Sequence, residues 1–188
     1  MAFTALLDAC VLYSAPARDI ILRISLAGLY RLKWSEDIHA EWMRNLAANR
    51  PDIPPERIAR LRHLIDDGAP GALVAGYESL AGALELPDAD DRHVLAAAIM
   101  GKADVIVTYN LKDFPTEALA PYGIEAQHPD QFLRHQFDLA PDRVGGVVRE
   151  LRRGLKEPPR SVEAYLATLE KHGLGDFAAA LRSWTDEI

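Results

Sequence analysis

A parallel-sheet α/β fold with a helical C-terminal extension is what this sequence predicts, and three observations carry the prediction. Two short apolar runs, Phe3-Thr4-Ala5-Leu6-Leu7 and Val105-Ile106-Val107, read as buried strands, and a polar residue follows each, Asp8 and Thr108. The segments between them place apolar residues at helical spacing, and such alternation of helix with strand favours a parallel sheet covered on both faces. Beyond about residue 136 the pattern is wholly helical. Residues 1–135 are therefore expected to form the α/β domain and residues 136–188 the helical extension.

From the amino end, the first strand stops where Asp8 turns the chain. Ile20, Ile21, Ile24 and Leu26-Ala27 give residues 19–28 a helical period, with Gly28 as its stop. Ser35 can cap a helix in which Ile38, Trp42 and Leu46 recur every four residues, and Glu41 borders that stripe. Pro51, Pro54 and Pro55 break the chain before a helix over residues 56–66, built on Ile58, Leu61 and Ile65. Residues 69–86 are ambiguous. After Asp91, the apolar positions Val94, Leu95, Ala98 and Ile99 follow a helical period that Gly101 ends. In the extension, Val144, Val147, Val148, Leu151 and Leu155 form one stripe, opposite Arg149, Arg152, Arg153 and Lys156. Pro158-Pro159 interrupts, Ser161 can cap a helix ending near Gly173, and Asp176 can cap a last one through Trp184.

Composition excludes some classes of function. The 188 residues are 49% apolar and 26% charged, with no apolar run near the ~18 residues that span a bilayer. The opening MAFTALLDAC has no basic segment, and Asp8 interrupts its apolar stretch, so a secretory signal is not expected and a cytoplasmic location is. The one cysteine, Cys10, cannot form an internal disulfide and reads as a small buried hydrophobe rather than a nucleophile. A net charge of -7 argues against simple electrostatic capture of a polyanion. Up to residue 135 there are 19 acidic and 13 basic residues, against 9 and 8 afterwards, so the acidic excess sits where a carboxylate cluster would serve chemistry.

Each candidate acid also has an ordinary explanation. Asp8 and Asp113 can start turns, and Asp88, Asp90 and Asp91 can complement a helix N-terminus at ~0.3–1 kcal/mol each. Glu41 can be a solvated helix residue. Phosphodiester hydrolysis gives them a common purpose, because Mg²⁺ and Mn²⁺ prefer hard oxygen ligands and use a few carboxylates while keeping several waters. Such ions would also neutralise the carboxylate field and let an acidic protein accept a polyanion. Arg18, Arg44, Arg92, Lys102 and Lys112 are candidate phosphate contacts, each with plain surface charge as its alternative.

Four segments in order, L-L-D-A-C-V-L-Y (6–13), W-S-E-D-I-H-A-E-W (34–42), L-P-D-A-D-D-R-H-V-L-A-A-A-I (86–99) and V-I-V-T-Y-N-L-K-D-F-P (105–115), resemble the motifs of PIN-domain proteins, particularly VapC-type toxin ribonucleases. The resemblance covers roughly residues 3–135. It implies a Rossmann-like α/β/α fold, Mg²⁺- or Mn²⁺-dependent cleavage of RNA, a cognate antitoxin and a homodimer. It places Asp8, Glu41 and Asp91 at the first three acidic positions, leaves the fourth to Asp113 or Asn110, and gives Thr108 and Asp90 supporting places. Ala9 departs from the Thr or Ser that many relatives carry there, so a hydroxyl that helps order the site is missing. The helical end resembles the extension of longer members.

Other readings fit less well. A haloacid-dehalogenase-type phosphatase needs a second Asp where Cys10 stands, and a receiver domain needs acids clustered before its first helix and a later strand-end Lys. A non-cutting PIN-like binding module and a structure-selective DNA nuclease remain the alternatives that share these motifs.

Overall fold

The computed structural model describes residues 3–156, 159–184 and 188; Pro158, half of the expected Pro-Pro break, lies outside them. In chain order the elements are β1 (Thr4–Leu7), α1 (Ala9–Tyr13), α2 (Ala15–Leu26), β2 (Arg31–Ser35), α3 (Glu36–Asn49), α4 (Pro55–Gly68), β3 (Leu73–Val74) and α5 (Glu78–Ala81). They continue with α6 (Arg92–Met100), β4 (Val105–Val107), α7 (Thr116–Leu119), β5 (Glu125–Gln127), α8 (Pro129–Leu139), α9 (Pro141–Gly154), α10 (Val162–Lys171) and α11 (Gly175–Arg182). The chain divides into two compact units, Met1–Tyr13 with Tyr30–His128, and Ser14–Leu29 with Pro129–Ile188.

The first unit is the expected Rossmann-like α/β domain. Its five strands are all parallel, in the order β3-β2-β1-β4-β5. Leu6 is the registration point: it pairs with Lys33 on β2 and Ile106 on β4. Every residue of β1 is buried, as a central strand covered on both faces must be. Strand order reverses between β1 and β4, and in open parallel sheets the crevice outside the carboxyl ends at such a point is where ligands bind. Asp8 and Thr108 occupy those two ends.

Two elements here escape the periodicity. Residues 31–35 alternate exposed and buried positions only at their start, because Trp34 and Ser35 are both covered as β2 runs into α3. β3 has two residues, too few for any period, and accounts for part of the ambiguous 69–86 stretch together with α5. Gly101 ends α6 for a steric reason rather than by a left-handed backbone. Lys102 takes the left-handed turn at φ 52°, while a Cβ at Gly101 would lie 2.9 Å from the Ala97 carbonyl oxygen and 3.0 Å from Val74 Cγ2.

The second unit is wholly helical. The boundary expected at residue 135 falls inside α8, and the second unit also takes in α2 from far upstream. The stripe of Ile20, Ile21 and Ile24 on α2 is buried, and the helix packs with α9 and α10. Periodicity identifies an amphipathic helix, but not the partner for its apolar face. Phe132, Leu133, Val144, Val148, Leu166, Leu169, Phe177 and Leu181 complete this core.

Caps in this unit follow local chemistry with one exception. Ser161 accepts from the Ala164 amide as expected. The start of α11, however, is not capped by Asp176. The Asp130 carboxylate of α8 accepts the Asp176 and Phe177 amides at 2.9 and 2.8 Å, satisfying orphan donors from a distant position in sequence. On α9 the basic face is partly engaged within its own unit, since Arg152 donates to the carbonyls of Arg160 and Ile188. No helix among the described residues is long and apolar enough to cross a membrane.

Candidate active site

Asp8 is fixed by backbone first. Its amide donates to the Val107 carbonyl at 3.1 Å, extending the β1–β4 ladder by one residue, and its own carbonyl accepts the Val11 and Leu12 amides that open α1. The carboxylate is then held from three sides. Oδ1 accepts the Ala9 amide at 2.6 Å, and Oδ2 accepts the Thr108 hydroxyl at 2.6 Å and the Cys10 thiol at 3.1 Å. Asp8 is only 3% exposed, and this burial raises its pKa. The hydroxyl and thiol bonds pull the other way, and the charge of Glu41 adds to the rise. Thr108, itself buried, also accepts the Asn110 amide at 3.0 Å, so one hydroxyl joins the strand-end acid to the loop after β4.

Glu41 comes from α3, whose position rests on a buried polar network. Ser35 caps the helix by accepting from the Ile38 amide, and Ile38, His39 and Trp42 face inward. Trp42 Nε1 donates to His39 Nδ1 at 2.9 Å, which makes Nδ1 an acceptor and leaves the proton on Nε2 to be donated to Asp66, 3.0 Å away. Trp34 Nε1 donates to the same Asp66 oxygen at 2.9 Å. Burial lowers the His39 pKa despite Asp66, consistent with this neutral tautomer. On the flank of the helix, Glu41 lies 3.6 Å from His93 Nε2. Burial opposes the charge on His93, yet the Glu41 contact and nearby acids raise its pKa overall.

Asp91 closes a short 3-10 turn over Ala89–Asp91, where the Asp88 carboxylate accepts the Asp90 amide. Its carboxyl is pushed up to about 7, first by burial and then by the charges of Asp8, Asp88, Asp113 and Glu41. That list places the four predicted acids in one electrostatic neighbourhood and adds Asp88, for which the sequence offers only a capping role. Asp90 is exposed. Asp113 ends the 3-10 turn Leu111–Asp113, and the Asn110 carbonyl accepts its amide at 3.0 Å.

The basic candidates separate. Arg18 belongs to the helical unit, where it is buried and paired with Asp19 at 3.1 Å. Arg44, Lys112 and Asn110 are exposed. Arg92, next to Asp91, has a buried Nε with no hydrogen-bond partner among the described residues. Cys10, read from sequence only as a packing residue, and His93, which sequence reading passes over, are further site neighbours. Their only sequence signal is proximity, two residues after a candidate acid in each case.

The donor set suits a hard divalent cation, being all carboxylate oxygen, with burial first and the neighbouring charges second raising the Asp91 pKa. Among the described residues no three His, Cys, Asp or Glu side chains converge as a ready cage. Mg²⁺ and Mn²⁺ need none, because they keep waters and use one or two carboxylates. On donor chemistry and charge, the residues fit such an ion.

A parallel sheet with strand-end Asp8 and Thr108 at its switch point, faced by acids from α3 and from the turn before α6, defines the class: the chain belongs to the PIN-domain family, whose sequence model matches residues 4–112. Residues 129–183 match the VapC50 C-terminal domain. The chain is also similar to a Mycobacterium tuberculosis protein named as the ribonuclease VapC50, a designation its name gives provisionally. Identity is 40% over 116 residues, covering 62% of this chain and 68% of the relative. No solved structure matches the chain significantly.

Proposed function

We propose that this protein is a divalent-metal-dependent endoribonuclease, the cytoplasmic toxin of a toxin–antitoxin pair, acting as a homodimer. The observation that carries the chemistry is the strand-end Asp8 carboxylate, fixed at the sheet's switch point by the Ala9 amide and the Thr108 hydroxyl, with Glu41, Asp88, Asp91 and Asp113 in the same acidic neighbourhood. Such a gathering of acids suits a site that must bind a cation and a phosphodiester. The relative named as the ribonuclease VapC50 and the match to the VapC50 C-terminal domain support RNA as substrate, and the VapC-type resemblance is the ground for expecting an antitoxin.

In this reading Asp8, Glu41, Asp91 and Asp113, with Asn110 as the alternative to Asp113, would hold Mg²⁺ or Mn²⁺, one or two of them directly and the others through its waters. The ion's chemistry is to lower the pKa of a bound water and to polarise the phosphoryl oxygens. The protein supplies the rest. Thr108 and the Ala9 amide keep the Asp8 carboxylate in one orientation, and His93 holds Glu41 toward the site. Arg92, beside Asp91, and exposed Arg44 and Lys112 are the groups that would grip a phosphate.

The test incubates purified protein with defined RNA and DNA in Mn²⁺, Mg²⁺ or EDTA. RNA cleavage in either metal, lost in EDTA and in Asp8→Asn and Asp91→Asn, is expected. Metal-independent cutting, or activity surviving both substitutions, sinks the mechanism; cleavage of DNA alone moves the substrate. Growth arrest on expression, relieved by the protein encoded beside it, tests the toxin role.

A further inference from the structure

Cys10 reads from sequence as a packing residue, yet it sits between the two strand ends that build the site. Resting on the ribonuclease reading above, we propose that Cys10 is a positioning residue: its thiol donates to the Asp8 carboxylate and accepts from the Tyr109 amide, stitching the end of β1 to the loop after β4.

Proton accounting supports this assignment. Three groups surround the sulfur: Asp8 Oδ2 at 3.1 Å, the Tyr109 amide nitrogen at 3.3 Å and Thr108 Oγ1 at 3.6 Å. The Thr108 hydroxyl has one proton, committed to Asp8 Oδ2 at 2.6 Å, and its oxygen already accepts the Asn110 amide. The thiol likewise has one proton. An anionic carboxylate oxygen is the better acceptor of the two oxygens it faces, so the S–H points to Asp8 and a sulfur lone pair meets the Tyr109 N–H. Cys10 and Thr108 thus form a parallel pair: both donate to one carboxylate oxygen, and each accepts one of two successive amides, Tyr109 and Asn110.

This pairing changes the meaning of Ala9. The side-chain donors that order Asp8 come from residue 10 on α1 and residue 108 just after β4, so no hydroxyl is needed at position 9. It also assigns the sulfur a hydrogen-bonding task unlike nucleophilic or redox chemistry, since its proton and a lone pair are both engaged.

The test uses the metal-free 188-residue chain and its Cys10→Ala and Cys10→Ser variants, with three readouts. Outer-shell partners of metal ligands are worth tenfold or more in affinity, so Cys10→Ala should weaken Mn²⁺ binding by calorimetric titration about tenfold, while Cys10→Ser, which keeps a donor and an acceptor, recovers most of it. Hydrogen exchange at the Tyr109 amide, measured without metal, should quicken in Cys10→Ala and slow again in Cys10→Ser. RNA cleavage in Cys10→Ala should lose kcat with KM little changed. A Cys10→Ser variant as impaired as Cys10→Ala in Tyr109 exchange and Mn²⁺ affinity would show that the sulfur acts by packing alone and overturn the proposal. So would a Cys10→Ala variant that binds Mn²⁺ and protects Tyr109 as the parent does. If the parent chain binds no Mn²⁺, the nuclease reading fails by itself, and the Tyr109 exchange still decides whether Cys10 is the stitch.

Discussion

Removing the Asp91 carboxylate should uncouple cation binding from pH. With burial and the neighbouring acids raising the Asp91 pKa to about 7, about one-tenth of the metal-free molecules should carry it ionised at pH 6. A metal must displace that proton, and affinity falls about tenfold per pH unit below the pKa. Mn²⁺ should therefore bind about tenfold more weakly at pH 6 than on the plateau above pH 8, releasing about one proton per ion at pH 6 and almost none at pH 8.5. Titration calorimetry in buffers of differing ionisation enthalpy counts those protons directly. Asp91→Asn should bind weakly and lose most of the slope. Equal affinity of the parent at pH 6 and 8, or a slope retained in full by Asp91→Asn, would refute the reasoning. Stability gives the complementary sign. The folded pKa lies above the ordinary value of 3.8, so the stability Asp91 contributes is fully present below about pH 4 and is lost as pH rises to about 7. Metal-free Asp91→Asn should accordingly melt higher than the parent at pH 8 and alike at pH 4.

Three further outcomes test the frame around the site. Thr108→Val removes a buried donor to Asp8 and the acceptor for the Asn110 amide; it should cost about 1–3 kcal/mol in denaturant unfolding and lower kcat more than it raises KM. Asp130→Ala leaves the first amides of α11 uncapped and should destabilise the helical unit by about 1 kcal/mol in chemical denaturation, with RNA cleavage per folded molecule unchanged. Gly101→Ala sets a methyl 2.9 Å from a carbonyl oxygen that α6 cannot easily move, and a loss of about 1–3 kcal/mol is expected; an unchanged melting temperature would mean that the turn gives way.

The local code of this chain is legible where one residue acts on its neighbours. The buried runs at Ala5–Leu7 and Val105–Val107, the Ser35 and Ser161 caps, and the stripe of α3 all follow from spacing and side-chain chemistry within a few positions. The ordered acids could be named as candidates on the same basis. Tertiary structure alone decided what those pieces meet. The parallel register that sets Leu6 against Ile106 is what brings Thr108 to Asp8 across 100 positions of sequence, and the same approach turns Cys10 from an apolar filler into a hydrogen-bonding group. Asp88 joined the acidic neighbourhood through the fold as well, since a cap and a field charge look identical in sequence. The path of α2 into the helical unit and the capping of α11 by Asp130 have the same cause: an apolar face or an orphan amide specifies the kind of partner it needs, and only the folded chain supplies which one.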